Sequence, residues 1–129
     1  MIGTALRVTG LDHVVFHVLD VERSRSFYMR LFGMEIDHER PGQVFLRCGE
    51  KRVLALFEHQ DGAEIHGGSE VNHLALRLES GDFATVKAAL EAEGIPFRGR
   101  RGDPECVYLE DPDGHRLQLI YPDRQRRHQ

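Results

Sequence analysis

Two histidines hold matching places in this chain: His13 in "GLDHVVFHV" and His73 in "EVNHLALRL". Two imidazoles that converge with one oxygen donor make a facial site for a divalent transition metal. Such a site leaves coordination positions open for a substrate. A histidine on a strand also serves as a satisfied structural residue; the duplicated placement sets the ligand reading beside that one. His17 shares the strand face of His13, as a pocket acid or base or as a rim residue. His38, His59, His66, His115 and His128 are expected in loops or tails, in contact with water. Cys48 and Cys106 show no C-x-x-C spacing, which argues against a disulfide framework or a zinc knuckle. Both are expected as small core residues in apolar strands.

The elements that carry these residues are written twice. "GLDHVVFHVLDVERSRSFYMRLFGM" (10–34) aligns with "EVNHLALRLESGDFATVKAALEAEGI" (70–95). Each has a short strand, a polar break, an amphipathic helix and a glycine. Asp20 is the expected N-cap of the first helix, with Phe27, Tyr28, Leu31 and Phe32 as its apolar stripe and Gly33 at its end. Phe83, Val86 and Leu90 form the stripe of the second, closed by Gly94. Further along, "VFLRCGEKRVLALFE" (44–58) matches "VYLEDPDGHRLQLIY" (107–121) at an offset of 63. The chain thus reads as two βαβββ modules, 9–59 and 70–122, joined by a Gly-rich polar linker at 59–69. Neither module alone covers its sheet, so the two should pack together or against a second chain.

Strand alternation sorts the side chains. Val14, Phe16 and Val18 oppose His13, Val15 and His17; Leu74, Leu76 and Leu78 oppose His73, Ala75 and Arg77. The uniformly apolar faces must receive the helices. The histidine-bearing faces continue with Phe45, Arg47, Ala55 and Phe57 in the first module. In the second they continue with Tyr108, Glu110, Gln118 and Ile120. Mostly apolar groups with a few placed polar ones suit a small-molecule pocket. The alternative is a solvated sheet face, for which Val15, Phe45, Phe57, Ala75 and Ile120 are too apolar.

The totals bound the rest. At 129 residues, with 40% hydrophobic and 29% charged residues, the chain suits one soluble α+β domain. Seventeen basic against twenty-one acidic residues, net −4, argue against a nucleic-acid partner, and Arg124, Arg126 and Arg127 read as a solvated tail. No apolar run spans a bilayer and no leader pattern opens the chain, so no membrane partner and a cytoplasmic location are expected.

With "LDHVVFHVLDVERSRSFYMRLFGM", "VNHLALRL" and above all "VYLEDPDGHRLQLIYP" in view, the chain resembles the vicinal oxygen chelate superfamily over roughly residues 9 to 122. That group includes glyoxalase I, extradiol dioxygenases, bleomycin-resistance proteins and the fosfomycin-resistance thiol transferases, and the last are nearest in layout. The resemblance implies one domain over 1–129, with two tandem βαβββ modules forming a curved mixed-sheet cup and the helices outside. It also implies a homodimer and a divalent metal (Mn, Fe, Ni or Zn) that binds two neighbouring oxygens of a small-molecule substrate. The family's four ligand positions fall on His13, Ala55, His73 and Gln118. Ala55 cannot bind a metal, which leaves His13, His73 and Gln118.

Two departures stand out. Gln118 occupies a position where the fosfomycin-resistance and dioxygenase groups have glutamate, so three neutral donors should hold the ion weakly. Val15 replaces a hydroxyl residue common in the fosfomycin-resistance proteins, although Arg98, Arg100, Arg101 and Arg127 offer positive charge. The expected function is a metal-dependent lyase, thiol transferase or ring-cleaving dioxygenase. His17 or Glu110 would transfer protons, and Tyr108, Arg77, Arg47, Phe45, Phe57, Val15 and Ile120 would contact substrate. The alternative is a metal-free binding protein of the bleomycin-resistance type, and a third reading is a scaffold whose site has decayed.

Overall fold

The computed structural model describes residues 6–7, 9–59 and 72–124. The first module runs β1 (His13–Val18), α1 (Val21–Phe32), β2 (Ile36–Arg40), β3 (Gln43–Arg47) and β4 (Val53–Glu58). The second runs β5 (Leu74–Arg77), α2 (Phe83–Ala92), β6 (Arg98–Arg100), β7 (Asp103–Glu110) and β8 (Arg116–Ile120). Each module is a four-stranded mixed sheet, ordered β1-β4-β3-β2 and β5-β8-β7-β6. The chain divides into two compact units, one holding the described residues up to His59 and the other those from Asn72. Beyond His59, the expected linker at 59–69 lies outside the described residues, as do His66, Arg126, Arg127 and His128.

Helix α1 starts because two of its orphan backbone donors find carboxylates. Asp20 accepts from the Arg23 N–H at 3.1 Å, and Glu58, from the end of β4, accepts from the Val21 N–H at 3.1 Å. It stops at Gly33, left-handed with φ 66°, whose N–H returns to the Met29 carbonyl at 3.0 Å. Asp82 starts α2 by accepting from the backbone N–H and hydroxyl of Thr85, at 2.9 and 2.8 Å. Gly94, φ 69°, follows its last turn.

The apolar face of the first sheet, with Val18, Val44, Leu46, Leu54 and Leu56 buried, lies under α1. Each fully buried leucine there contributes on the order of 2 kcal/mol. The stripe of α1 differs from its sequence reading. Val21, Ser24 and Tyr28 are the buried residues, while Phe27, Leu31 and Phe32 are half-buried. Ser24 is small enough to bring the helix close to the sheet at that turn, and Tyr28 takes the central position. The Phe27 and Phe32 rings then pack around Tyr28, with centres 5.1 and 6.1 Å from it. In the second module Leu76, Val86, Leu90, Val107, Leu109, Leu117 and Leu119 are buried.

Four other sequence expectations need correction. Cys48 lies just past β3, half-buried, and burial pushes its thiol up against the lowering influence of Arg52. His38 lies in β2 with its ring stacked on Phe45, centres 4.0 Å apart. His115 is 12% exposed and hydrogen-bonds the buried Asp111 carboxylate at 2.7 Å. Arg124 is not part of a solvated tail: it grips Asp103 through two nitrogens at 2.5 and 2.6 Å and lies over the Tyr121 ring. These partners come from neighbouring strands and turns, which periodicity along one segment does not reveal. Gly99 in β6 has a different reason for being glycine. A Cβ there would lie 2.6 Å from the Pro104 carbonyl oxygen, so β7 could not approach as it does.

Candidate functional site

The strand registers place the expected site residues in rows. In the first module β1 pairs with β4 in parallel, Val15 opposite Ala55, and Ala55 lies opposite Phe45 of β3. Phe45 in turn lies opposite His38 of β2. The second module repeats this row at the offset read from the sequence: Ala75, Gln118, Tyr108 and Arg98. Gln118 thus occupies in its sheet the place that Ala55 occupies in the other. Flanking rows add His13 opposite Val53, itself opposite Arg47, and His17 opposite Phe57. Arg77 lies opposite Ile120.

Both motif histidines are oriented by the residue before them. His13 Nδ1 lies 2.7 Å from Asp12 Oδ2. A carboxylate only accepts, so Nδ1 carries the hydrogen and the neutral ring keeps its lone pair on Nε2. His73 Nδ1 lies 2.8 Å from Asn72 Oδ1. Arg116 donates to the same oxygen at 3.3 Å, which fixes the amide with its oxygen toward His73. The sequence carried this signal unread: Asp12 and Asn72 are equivalent in the repeat, and each places a side-chain oxygen acceptor beside a histidine. The His73 ring stands edge-on to Tyr108, centres 5.4 Å apart.

Gln118 is buried, and its amide nitrogen donates to Cys106 Sγ at 3.2 Å. That contact uses the nitrogen end of the amide; Oε1 is the atom a cation would take. Within their own modules His13 Nε2, His73 Nε2 and the Gln118 amide oxygen are all neutral donors, which would not offset the charge of a divalent ion. Ala55 is fully buried and offers no donor. Among the described residues, no three His, Cys, Asp or Glu side chains gather as a metal cluster.

The other expected residues divide by their partners. Glu110 is held by Arg98 through two contacts of 3.0 and 2.9 Å, and this pairing raises the Arg98 pKa. The Tyr108 hydroxyl accepts from Arg100 at 3.3 Å. Arg47 lies 3.5 Å from Asp37. The His38 hydrogen bond, chiefly, and the Arg47 charge hold Asp37 below the usual carboxylate range against slight burial. Val15 is 37% exposed, Phe45 and Phe57 are half-buried with ring centres 5.6 Å apart, and Ile120 is buried. Arg40 extends over Phe45, 5.8 Å from the ring centre. His17 meets His59, in the loop just past β4, with their Nδ1 atoms 3.3 Å apart. The β-strand pairing carries His59 and His38 onto the histidine-bearing face.

Two βαβββ modules with histidines at equivalent repeat positions, His13 opening β1 and His73 just before β5, define the class. A model of the Glyoxalase/Bleomycin resistance protein/Dioxygenase superfamily matches residues 10–119, and the chain belongs to that superfamily. Among its relatives is the glutathione transferase FosA of Serratia marcescens, 26% identical over 111 residues, covering 85% of this chain and 79% of that protein. The metallothiol transferase FosB of Bacillus licheniformis is 29% identical over 121 residues, covering 88% and 75%. In structure, the trypanothione-dependent glyoxalase I of Leishmania major superposes with a TM-score of 0.74 at 22% identity, covering 94% of this chain and 92% of that one. That likeness carries the fold.

Proposed function

We propose that this protein is a divalent-metal-dependent enzyme that acts on a small molecule through two adjacent substrate oxygens, with thiol transfer as its leading chemistry. The observation that carries the reading is the pair of oriented histidines. Each has Nδ1 tied to a neighbouring oxygen, so each presents Nε2 as a ligand atom. The names of the two relatives above, both transferases matched over most of this chain, support thiol transfer over lyase or dioxygenase chemistry.

His13, His73 and Gln118 would hold the ion, which when bound stabilises negative charge on the substrate oxygens. Tyr108, placed beside Gln118 and tethered by Arg100, would orient substrate. Arg47 and Arg77 suit an anionic group, while Val15, Phe45, Phe57 and Ile120 suit an aromatic or aliphatic part. Of the two proton-transfer candidates, His17 fits better, because the Glu110 carboxylate is already engaged by Arg98. Val15 leaves that point of the site apolar, which favours a substrate other than fosfomycin. The two modules form a single domain in this reading, and the chain works as a homodimer in the cytoplasm. Among the described residues no helix is long and apolar enough to cross a membrane.

Metal analysis of protein purified without chelator, with His73→Ala as control, tests the proposal. Mn, Fe, Ni or Zn that His73→Ala removes is the expected result; substoichiometric metal indifferent to that change would sink it. A metal-free binding protein is the second reading, favoured by Ala55 and by the amide at Gln118. It predicts ligand affinity that persists in excess chelator.

A further inference from the structure

The contact between His17 and His59 is not used by the chemistry above. His17 lies near the end of β1, opposite Phe57 of the parallel strand β4. The His59 N–H donates to the Val18 carbonyl at 2.7 Å, extending the ladder past β4. His59 is therefore a diagonal neighbour of His17 on the same face, within reach of a long side chain. The two Nδ1 atoms are 3.3 Å apart. The ring centres are 4.9 Å apart and the planes are inclined at 70°.

Two comparisons show what this pair suits. If the nitrogens faced each other along one line, the ring centres would stand about 5.6 Å apart, a ring radius being added at each end. The observed 4.9 Å is shorter and the planes are inclined at 70°, so the rings do not meet end to end along that line. Tetrahedral zinc with Zn–N bonds of about 2.0–2.1 Å holds two nitrogen ligands about 3.3–3.4 Å apart, whereas a good hydrogen bond brings them to about 3.0 Å.

We propose that His17 and His59 form a two-histidine site for a borderline-soft divalent cation, zinc in the first instance, bound through both Nδ1 atoms. Water completes the coordination, and the hydrogen that one Nδ1 otherwise donates to the other moves to Nε2 of its own ring, so both neutral imidazoles offer Nδ1 to the ion. The site does not depend on the donors His13, His73 and Gln118. With Nδ1 of His17 bound to the ion, that ring no longer accepts a proton there. Zinc occupancy and proton transfer at His17 are therefore alternatives.

The test is calorimetric titration of the full chain with Zn(II), in a His13→Ala/His73→Ala background that removes the other proposed donors. Expected is one zinc per chain with Kd of about 10–100 µM, weakened at least tenfold by adding His59→Ala or His17→Ala. His59→Gln serves where the alanine variant fails to fold by circular dichroism. Ring nitrogen NMR should show zinc moving the Nδ1 signals of these two histidines together. Zinc affinity unchanged by His59→Ala and His59→Gln, or a Kd no tighter than about 1 mM, would overturn the assignment. A failed metal analysis with His73→Ala would bear on the proposed function and leave this result standing.

Discussion

Gln118→Glu tests the proposed donor set by both stability and affinity. Gln118 is 7% exposed and its amide nitrogen donates to Cys106 Sγ at 3.2 Å. An ionised carboxylate there has no hydrogen to donate, meets a weakly polar sulfur, and lies between Ala75 and Tyr108 on the flanking strands. The lost hydrogen bond and the incomplete solvation cost about 2–3 kcal/mol at neutral pH. For a domain of this size that lowers Tm by roughly 6–12 °C. The pH dependence has a definite sign. Burial raises the introduced carboxyl above its unfolded value of about 4.3, so the variant's deficit is absent below that pH. The deficit grows as pH rises and is complete above the folded value.

In the proposed donor set a divalent ion reverses the loss, because the carboxylate would then join His13 and His73 as a charged oxygen. At a free Mn(II) concentration 100-fold above Kd, binding returns about 2.7 kcal/mol. The assay is thermal unfolding followed by circular dichroism from pH 4.5 to 7.5, with and without Mn(II), paired with calorimetric titration of the ion. Without metal, the variant should be less stable than the wild type at pH 7. Mn(II) should raise its Tm by more than it raises the wild type's, with affinity at least tenfold tighter. Mn(II) affinity equal to or below wild type would show that Gln118 is not among the donors. Wild-type stability without metal at pH 7 would refute the energetic argument from its burial.

Asp111→Ala removes a fully buried carboxylate that accepts from the N–H groups of Asp113 and His115 at 2.9 Å each and from the His115 ring at 2.7 Å. It should cost about 3 kcal/mol in urea unfolding, and a wild-type midpoint would contradict that role for the turn. The Thr85 backbone N–H, then its hydroxyl, hold Asp82 below the usual carboxylate range against slight burial. This contribution to stability is present above about pH 3.9 and is lost as pH falls through the depressed value, so Asp82→Asn should flatten the acid limb of unfolding between roughly pH 2 and 4. An unchanged acid limb would remove Asp82 from the account. Cys48, with its thiol pushed up by burial, should alkylate with iodoacetamide at pH 8 more slowly than a free thiol, and equal rates would contradict its half-buried setting.

Much of the candidate site's layout in rows was legible in the chain because strand alternation and an internal repeat are local signals. The alignment of Val44–Glu58 with Val107–Tyr121 placed Phe45 and Ala55 in correspondence with Tyr108 and Gln118. The sheet registers pair those residues in that way. Asp20 and Gly33 at the ends of α1 were equally readable, since a cap satisfies backbone groups three or four residues away. Alternation tells which face a side chain occupies but not what it meets across the next strand. The stacking of His38 on Phe45, the pairing of Glu110 with Arg98, the approach of His17 to His59 and the grip of Arg124 on Asp103 follow from strand order and register. Ser24 makes the same point in the core: a small polar residue is buried in place of the larger Phe27 because the helix's distance from the sheet, not hydrophobicity alone, decides which side chain fits. By itself the sequence determined the two modules and the faces of their strands. Only the folded sheets, by bringing distant residues to within 3–4 Å, decided which groups are oriented, which are neutralised and which remain to do chemistry.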